Sequence, residues 1–343
     1  MGSVLVVNAG STSLKLHLVG DDERATSVGR LADADPAVVD AVGHRVVHGG
    51  PRFRDPVVLD DDVVAALDEL TPLAPLHNRA ALAAVADARR ALPGVPHVAV
   101  FDTAFHATIP DEAATYAIPS RWREDWGVRR YGFHGLSVQW AAERVPVPRL
   151  VVCHLGGGCS ITAVRDGRSV DTTMGFSPLE GVPMATRSGS VDPGALIYLL
   201  REHGLTAEGL DRALERESGL AGLSGRSGDV RDLLAAESDG DEAARLALAV
   251  YVHRIAGAVA SMAAALGGLD AIVFTAGVGE GSAALRERIC ARLRFLGVEL
   301  DPAANEPAMP DTDVASSGSD ARVWVIGARE EVVVARAVRA LLG

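Results

Sequence analysis

At roughly 100–200 residues per domain the 343 residues suffice for two domains, and 48% hydrophobic with 23% charged residues, 36 Gly and 17 Pro describe a globular chain, not a disordered or collagen-like one. Thirty-three basic against 45 acidic residues leave a net charge of −12, which repels phosphate backbones and anionic lipid and so excludes nucleic acid and membrane as partners. Cys153, Cys159 and Cys290 are too few and odd in number for a disulfide framework, and MGSVLVVNAGST lacks the basic and long apolar regions of a leader, which together indicate a reducing, cytoplasmic setting.

Residues 4–19, VLVVNAGSTSLKLHLV, read as a strand, a Gly/Ser turn and a second strand. Lys15, just after that turn, is the only lysine in the chain, so a GxxxxGK[ST] loop is absent. The turn itself offers backbone N–H groups, hydroxyls and one ammonium, the chemistry of a phosphate cradle, although an ordinary hairpin turn has the same composition. NRAALAAVADARRAL (78–92) reads as a helix capped by Asn78 and stopped by Pro93-Gly94, and VPHVAVF (95–101) as a strand ending at Asp102. Residues 150–176 repeat the opening plan: an apolar strand, a glycine turn at His154–Gly158, a second strand, and an Asp166-Gly167 turn into a third. Two copies of one unit, each followed by mixed strands and helices, predict two similar α/β domains.

The second half is rich in helical periodicity. Its most apolar stretch, IAGAVASMAAALGGL, is closed by Arg254 and Asp270, looks too short for about 30 Å of hydrocarbon, and reads as a buried helix. DAIVF (270–274) is a buried strand, TAGVGEG (275–281) a glycine turn, RVWVIG (322–327) a strand and EEVVVARAVRALL the last helix; residues 302–320 read as a surface excursion. The glycine turn does not complete G-x-G-x-x-G, because Ser282 takes the third place, which argues against a nicotinamide site. The histidines show neither HExxH nor Cys/His finger spacing. Cys153 and His154 alternate to opposite faces of a strand and form no nucleophile pair, and a G-x-S-x-G elbow is absent. Arg45 and Arg187 each stand beside glycines in short polar segments, where fixed guanidinium forks suit a phosphoryl group or a carboxylate.

NAGSTSLK, GHRVVHGG, LAPLHN, FDTAFH, RRYGFHG, HLGGGCSITAV, DTTMGFSPLEG, TRSGSVDP, FTAGVGE and GAREE run in the order of the motifs of acetate and propionate kinases, and the chain resembles that family from Asn8 to Glu331. The resemblance implies the sugar-kinase/actin (ribonuclease H-like) fold: two related α/β domains with an interdomain ATP cleft, here 1–103 plus 332–343, and 104–331. It implies reversible, Mg²⁺-dependent (Mn²⁺ as a substitute) phosphoryl transfer between ATP and acetate, with acetyl phosphate and ADP as products, in a homodimer. Carried over by position, Asn8 and Glu330 contact the metal, and Lys15 contacts the nucleotide phosphates. His154, Leu155, Gly156, Gly157 and Gly158, with Gly277, Val278, Gly279, Glu280 and Gly281, surround ATP, and Asp229, Val230 and Arg231 lie near its ribose or base. Arg45 and Arg187 flank the transferred group, His134 stabilises it and Asp102 is the catalytic carboxylate; Val47, Leu76, Phe133 and Pro178 form the pocket for the acetate methyl.

Acetate is already ionised at neutral pH, so the attacking oxygen needs no base. What it needs is relief from repulsion between two anions, together with in-line positioning. The sequence also departs from the family. The segment between Lys15 and Gly43 is shortened, and Gly157, Gly281 and Arg329 stand where asparagine is usual. A nucleotide-binding regulator would not need the retained charged clamp of Arg45, His134, Arg187 and Glu330, which favours an enzyme.

Overall fold

The computed structural model describes residues 2–10 and 14–343, with Pro75 and Leu76 described for the backbone only. Six strands form the first sheet: β1 (Val4–Ala9), β2 (Leu14–Val19), β3 (Ala25–Val28), β4 (Ala41–Val46), β5 (Val57–Val58) and β6 (His97–Phe101), in the order β3-β2-β1-β4-β6-β5. Six more form the second: β7 (Arg149–Leu155), β8 (Cys159–Arg165), β9 (Arg168–Thr172), β10 (Ala271–Thr275), β11 (Thr312–Asp313) and β12 (Arg322–Val325), in the order β11-β12-β10-β7-β8-β9. Read from the opposite edge, the second order matches the first strand for strand. In each sheet an antiparallel meander leads into three parallel strands, and a short antiparallel strand closes the edge. The duplication expected from the two glycine hairpins is therefore present across the whole of both sheets.

Period-2 alternation fixes the faces of the first sheet. Leu5, Val7 and Ala9 of β1 pack with Leu16, Val42, Ala84, Ala88 and Leu92, under the helix Pro75–Ala91. Val4, Val6 and Asn8 point the other way, toward the helix Glu330–Leu342. Gly43 on that second face permits the close approach, since a Cβ there would lie 2.6 Å from Val334 and 2.9 Å from Val338.

The chain divides into two units: residues 1–108, 116–140 and 329–343, and residues 109–115 and 141–328. This differs from the expected division after residue 103, because segment 116–140 returns to the first sheet. The His106 ring bonds the Phe133 carbonyl at 2.9 Å, and the Gly135 N–H donates to the Asp102 carbonyl at 3.0 Å.

Four local readings change. Asn78 is not a cap: the helix begins at Pro75, and the Asn78 amide pairs with the His48 backbone, accepting its N–H and donating to its carbonyl. The TAGVGEG segment is a short helix, Ala276–Gly281, entered through Ala276 at φ +64°. Residues 302–320 contribute a helical turn at Pro302–Asn305 and β11, which pairs with β12. The apolar helix starts upstream of Arg254 and runs 25 residues, Glu242–Leu266, long and apolar enough by length and composition to cross a membrane. Half of its apolar window is nevertheless buried, with Tyr251, Ile255, Val259 and Met262 inside the second unit and the helix packed on β7, β8 and β9.

Buried histidines give the first unit a pH signature. His44 Nε2 and His97 Nδ1 are 3.0 Å apart, His97 Nε2 lies 3.0 Å from the Leu92 carbonyl, and His44 Nδ1 has no hydrogen-bond partner among the described residues. The chain of bonds suits two neutral rings, and a proton on His44 would face no acceptor. Burial, aided by His97 and Arg89, lowers the His44 pKa to about 3, and burial lowers that of His106 to about 4. Folded values below the unfolded one make the associated stability complete above pH 6.5 and progressively lost as pH falls toward 4 and 3. The expected loss is about 1.4 kcal/mol per pH unit for each such histidine. Urea midpoints at pH 7 and pH 5 check this, and equal midpoints would contradict it.

Candidate active site

Register places the charged residues of the first unit. Lys15 on β2 pairs with Asn8 on β1, Asn8 pairs with Arg45 on β4, and Arg45 pairs with Val100 on β6, two residues before Asp102. These side chains share the face covered by the helix Glu330–Leu342, at the carboxyl ends of three parallel strands, and Glu330 is the first residue of that helix. Ser11, Thr12 and Ser13, the expected phosphate cradle ahead of Lys15, lie outside the described residues. Lys15 itself is exposed.

Arg45 is the hub. Its Nε donates to Asp102 Oδ1 at 2.9 Å, its second terminal nitrogen to Asp102 Oδ2, and its first to Asn8 Oδ1 at 3.0 Å. Asn8 Nδ2 donates to Glu330 Oε2 at 3.3 Å, which also lies 3.7 Å from Arg45 Nε. Burial opposes a charge on Arg45, but the Asp102 and Glu330 carboxylates outweigh it and raise its pKa further. Burial likewise pushes the Asp102 carboxyl up against the pull of Arg45. Two guanidinium donors, one on each oxygen, with the His134 N–H as a third, are the partners of an ionised carboxylate.

His134 sits at φ +59°, outside the usual range for an L-residue. Gly135 follows it so closely against Asp102 that a Cβ would lie 2.1 Å from the Asp102 carbonyl oxygen. The strained turn thus sets His134 and Gly135 against Asp102, a pattern that collects at functional positions. Val47 and Phe133 are buried in this unit, and Phe133 lies edge-on to His48. The side chain of Leu76 lies outside the described residues.

In the second unit Arg187 stands on a loop tied to the end of the helix Ala207–Arg216. Its Nε is 3.0 Å from Glu215 Oε2, and its first terminal nitrogen donates to the Pro178 carbonyl at 3.4 Å. The loop backbone bonds Leu214 and Ser218. Glu215 carries no signal in the sequence; only folding brings it to Arg187. His154 and Leu155 end β7, with Thr275 of β10 in register with His154. The Gly156–Gly158 turn joins the same loop, since the Gly157 carbonyl accepts the Ala185 N–H at 3.4 Å. The Ala276–Gly281 helix, which contains Gly277, Val278, Gly279 and Glu280, follows β10, and buried Arg286 donates to the Gly279 and Glu280 carbonyls. Asp229 caps the helix Val230–Ser238, accepting the Arg231 N–H at 2.8 Å and the Arg231 side chain at 2.6 Å; these bonds hold its pKa near 2. Among the described residues a Cβ at Gly157 or Gly281 would meet nothing within 4 Å, so these surroundings do not require glycine at either position.

The donors fit a hard, phosphate-borne cation. Glu330 and the Asn8 amide supply oxygen chemistry, and Arg45 is shared between two carboxylates, leaving the cluster net negative. No group of three or more His, Cys, Asp or Glu among the described residues could hold a metal unaided. Such a sparse set suits Mg²⁺, which keeps water and substrate phosphates alongside one or two protein ligands.

The family described as the acetokinase family matches residues 28–336. An acetate kinase of Nostoc punctiforme is 46% identical over 349 residues, covering 98% of this chain and 84% of the relative. One from Gloeobacter violaceus is 49% identical over 313 residues, covering 88% and 77%. Among solved structures, a propionate kinase from Francisella tularensis subsp. tularensis superposes with a TM-score of 0.91 at 34% identity, covering 98% of this chain and 99% of its own. The acetate kinase of Porphyromonas gingivalis gives 0.88 at 34% identity with full coverage of both chains. The two-domain α/β architecture of the sugar-kinase/actin type is common to all three structures.

Proposed function

From the premise that this chain belongs to the acetokinase family, we propose how its own residues carry out the reaction. It is an acetate kinase, transferring the γ-phosphoryl group of ATP to acetate to give acetyl phosphate and ADP. The observation that carries the residue assignments is the Asn8–Arg45–Asp102–Glu330 cluster at the carboxyl ends of β1, β4 and β6.

An acetate oxygen attacks the γ-phosphorus while the bond from that phosphorus to the β,γ-bridging oxygen breaks, and ADP leaves with the electron pair. No proton need move. The requirement is to bring two anions together and to hold them in line. Arg45, Arg187 and His134 neutralise the transferring group, and Lys15 contacts the nucleotide phosphates. Asp102 is a positioning residue, because the donors on its oxygens, Arg45 and the His134 N–H, commit it to aiming the guanidinium. Asn8 and Glu330 would hold Mg²⁺, or Mn²⁺ in its place, which would screen charge on the phosphates. The His154–Gly158 turn, Asp229–Arg231 and Gly277–Gly281 bind ATP, and Val47, Phe133 and Pro178 contact the acetate methyl. The reaction is reversible, so acetyl phosphate, ADP and Mg²⁺ should yield ATP in a luciferase assay; no ATP above a no-enzyme control would overturn the assignment.

Glycine at 157 and 281 removes amide side chains from the nucleotide site while keeping the backbone donors. A hydrogen bond of this kind is worth about 0.5–1.5 kcal/mol net. With open space at Gly281, Gly281→Asn should lower KM for ATP by about twofold to tenfold with kcat nearly constant, the pattern of uniform binding. An unchanged KM would show that this position does not face the nucleotide.

The assembly is a homodimer in this reading. The helix Pro193–Glu202 has no buried residue, and Val191, Ile197, Tyr198 and Leu200 are exposed on it or beside it. Such a patch suits a second copy of the chain. Ile197→Asp should halve the mass seen by light scattering; an unchanged mass places the interface elsewhere. A cytoplasmic setting is in keeping with three buried, unpaired thiols.

A further inference from the structure

The chemistry above leaves two features of the first unit unused. Glu23 lies at φ +60° in the turn between β2 and β3, and Arg329 immediately precedes Glu330. They meet. Arg329 occupies the N-cap position of the helix Glu330–Leu342 with a non-helical backbone (φ −134°, ψ 53°) and no side-chain cap. A guanidinium offers no acceptor to first-turn N–H groups, so the helix start needs another anchor.

Arg329 supplies one by reaching sideways. It donates to the Glu23 carbonyl at 3.1 Å and to the Glu331 carboxylate at 2.9 Å, and its Cζ lies 5.9 Å from the centre of the Trp140 ring. Arg336, two turns on, donates to both Glu23 carboxylate oxygens, at 2.6 and 2.7 Å, with its Cζ 5.3 Å from the same ring. Glu23 therefore holds the helix at two heights, through its carbonyl and its carboxylate. That double engagement accounts for a side-chain-bearing residue in a backbone region where glycine is the relaxed choice.

We propose that Arg329 is a positioning residue for the metal carboxylate: tied to the Glu23 turn and to Trp140, it fixes the first helical turn so that Glu330 is presented to Asn8 and Arg45. The inference rests on the assignment of Glu330 to Mg²⁺. Electrostatics and positioning predict opposite signs here. Removing a cation next to a metal site tightens metal binding if charge is all that Arg329 contributes, whereas losing the anchor weakens it.

Binding of Mn²⁺ to the full-length protein with ADP, read from the electron paramagnetic resonance signal of free Mn²⁺, separates the two without any turnover. Arg329→Ala should weaken Mn²⁺ about tenfold, the lower range for losing a residue that supports a metal ligand. Arg329→Asn should stay within about threefold of wild type, because an asparagine oxygen can cap the first-turn N–H groups directly. Mn²⁺ affinity in Arg329→Ala that is unchanged or tighter overturns the inference. Glu330→Gln provides the separate control: if it binds Mn²⁺ like wild type, the metal assignment itself falls and this inference with it.

Discussion

Arg45→Ala is expected to lower kcat for acetate phosphorylation by a factor on the order of 10²–10⁵, the range for losing a cation that neutralises charge in phosphoryl transfer. It should also destabilise the fold, because Arg45 bonds both oxygens of a carboxylate that is otherwise fully buried. Breaking one side of a buried ion pair costs about 3–5 kcal/mol. The two losses should respond differently to pH. Without Arg45, burial raises the Asp102 pKa with little opposition, so the stability deficit shrinks as pH falls and Asp102 takes up a proton, while turnover stays low. Arg45→Lys keeps the charge but cannot span two carboxylate oxygens and the Asn8 amide, so it should recover part of the stability and little of the rate. Thermal melts and initial rates on the same preparations check this. An alanine variant with more than about half the wild-type rate would remove Arg45 from the clamp.

Arg187→Ala should cost a comparable factor in turnover, on the order of 10²–10⁵, with a much smaller change in melting temperature. The contrast follows from burial. Arg187 retains 16% side-chain exposure and its partner Glu215 retains 14%, so water can serve the carboxylate that is left behind. Glu215→Gln keeps the shape of the contact and removes the charge that aims Arg187. It should therefore lower kcat by roughly tenfold while KM for ATP is preserved, the signature of an interaction expressed mainly in the transition state. Equal loss in KM and kcat for both variants would indicate that Arg187 supports ground-state binding instead.

The hairpin duplication was legible in the sequence because it is written locally: apolar strand, glycine turn, apolar strand, twice. The separate chemical residues were also legible one at a time. Their pairing was not, since Arg45 and Asp102 are 57 positions apart and meet only because β4 and β6 are neighbours in a particular register. Glu215 shows the same gap more sharply. It is one acid among many in a periodic helix, and only the loop that laces onto that helix makes it a partner of Arg187. Asn78 failed as a cap because Pro75 starts the helix a turn earlier, leaving its amide to hold the His48 backbone. The TAGVGEG segment failed as a turn because buried Arg286 gathers the Gly279 and Glu280 carbonyls at the end of a short helix, which glycine content alone would disfavour.

The most direct measurement of the central claim is to trap the product. The purified protein is incubated with ATP, Mg²⁺ and acetate in the presence of hydroxylamine, which converts an acyl phosphate to a hydroxamate. The account predicts acetyl hydroxamate accumulating in step with ADP, abolished by omitting acetate and reduced in Arg45→Ala to the same extent as turnover. ADP released at the same rate without acetate, with no hydroxamate formed, would contradict it.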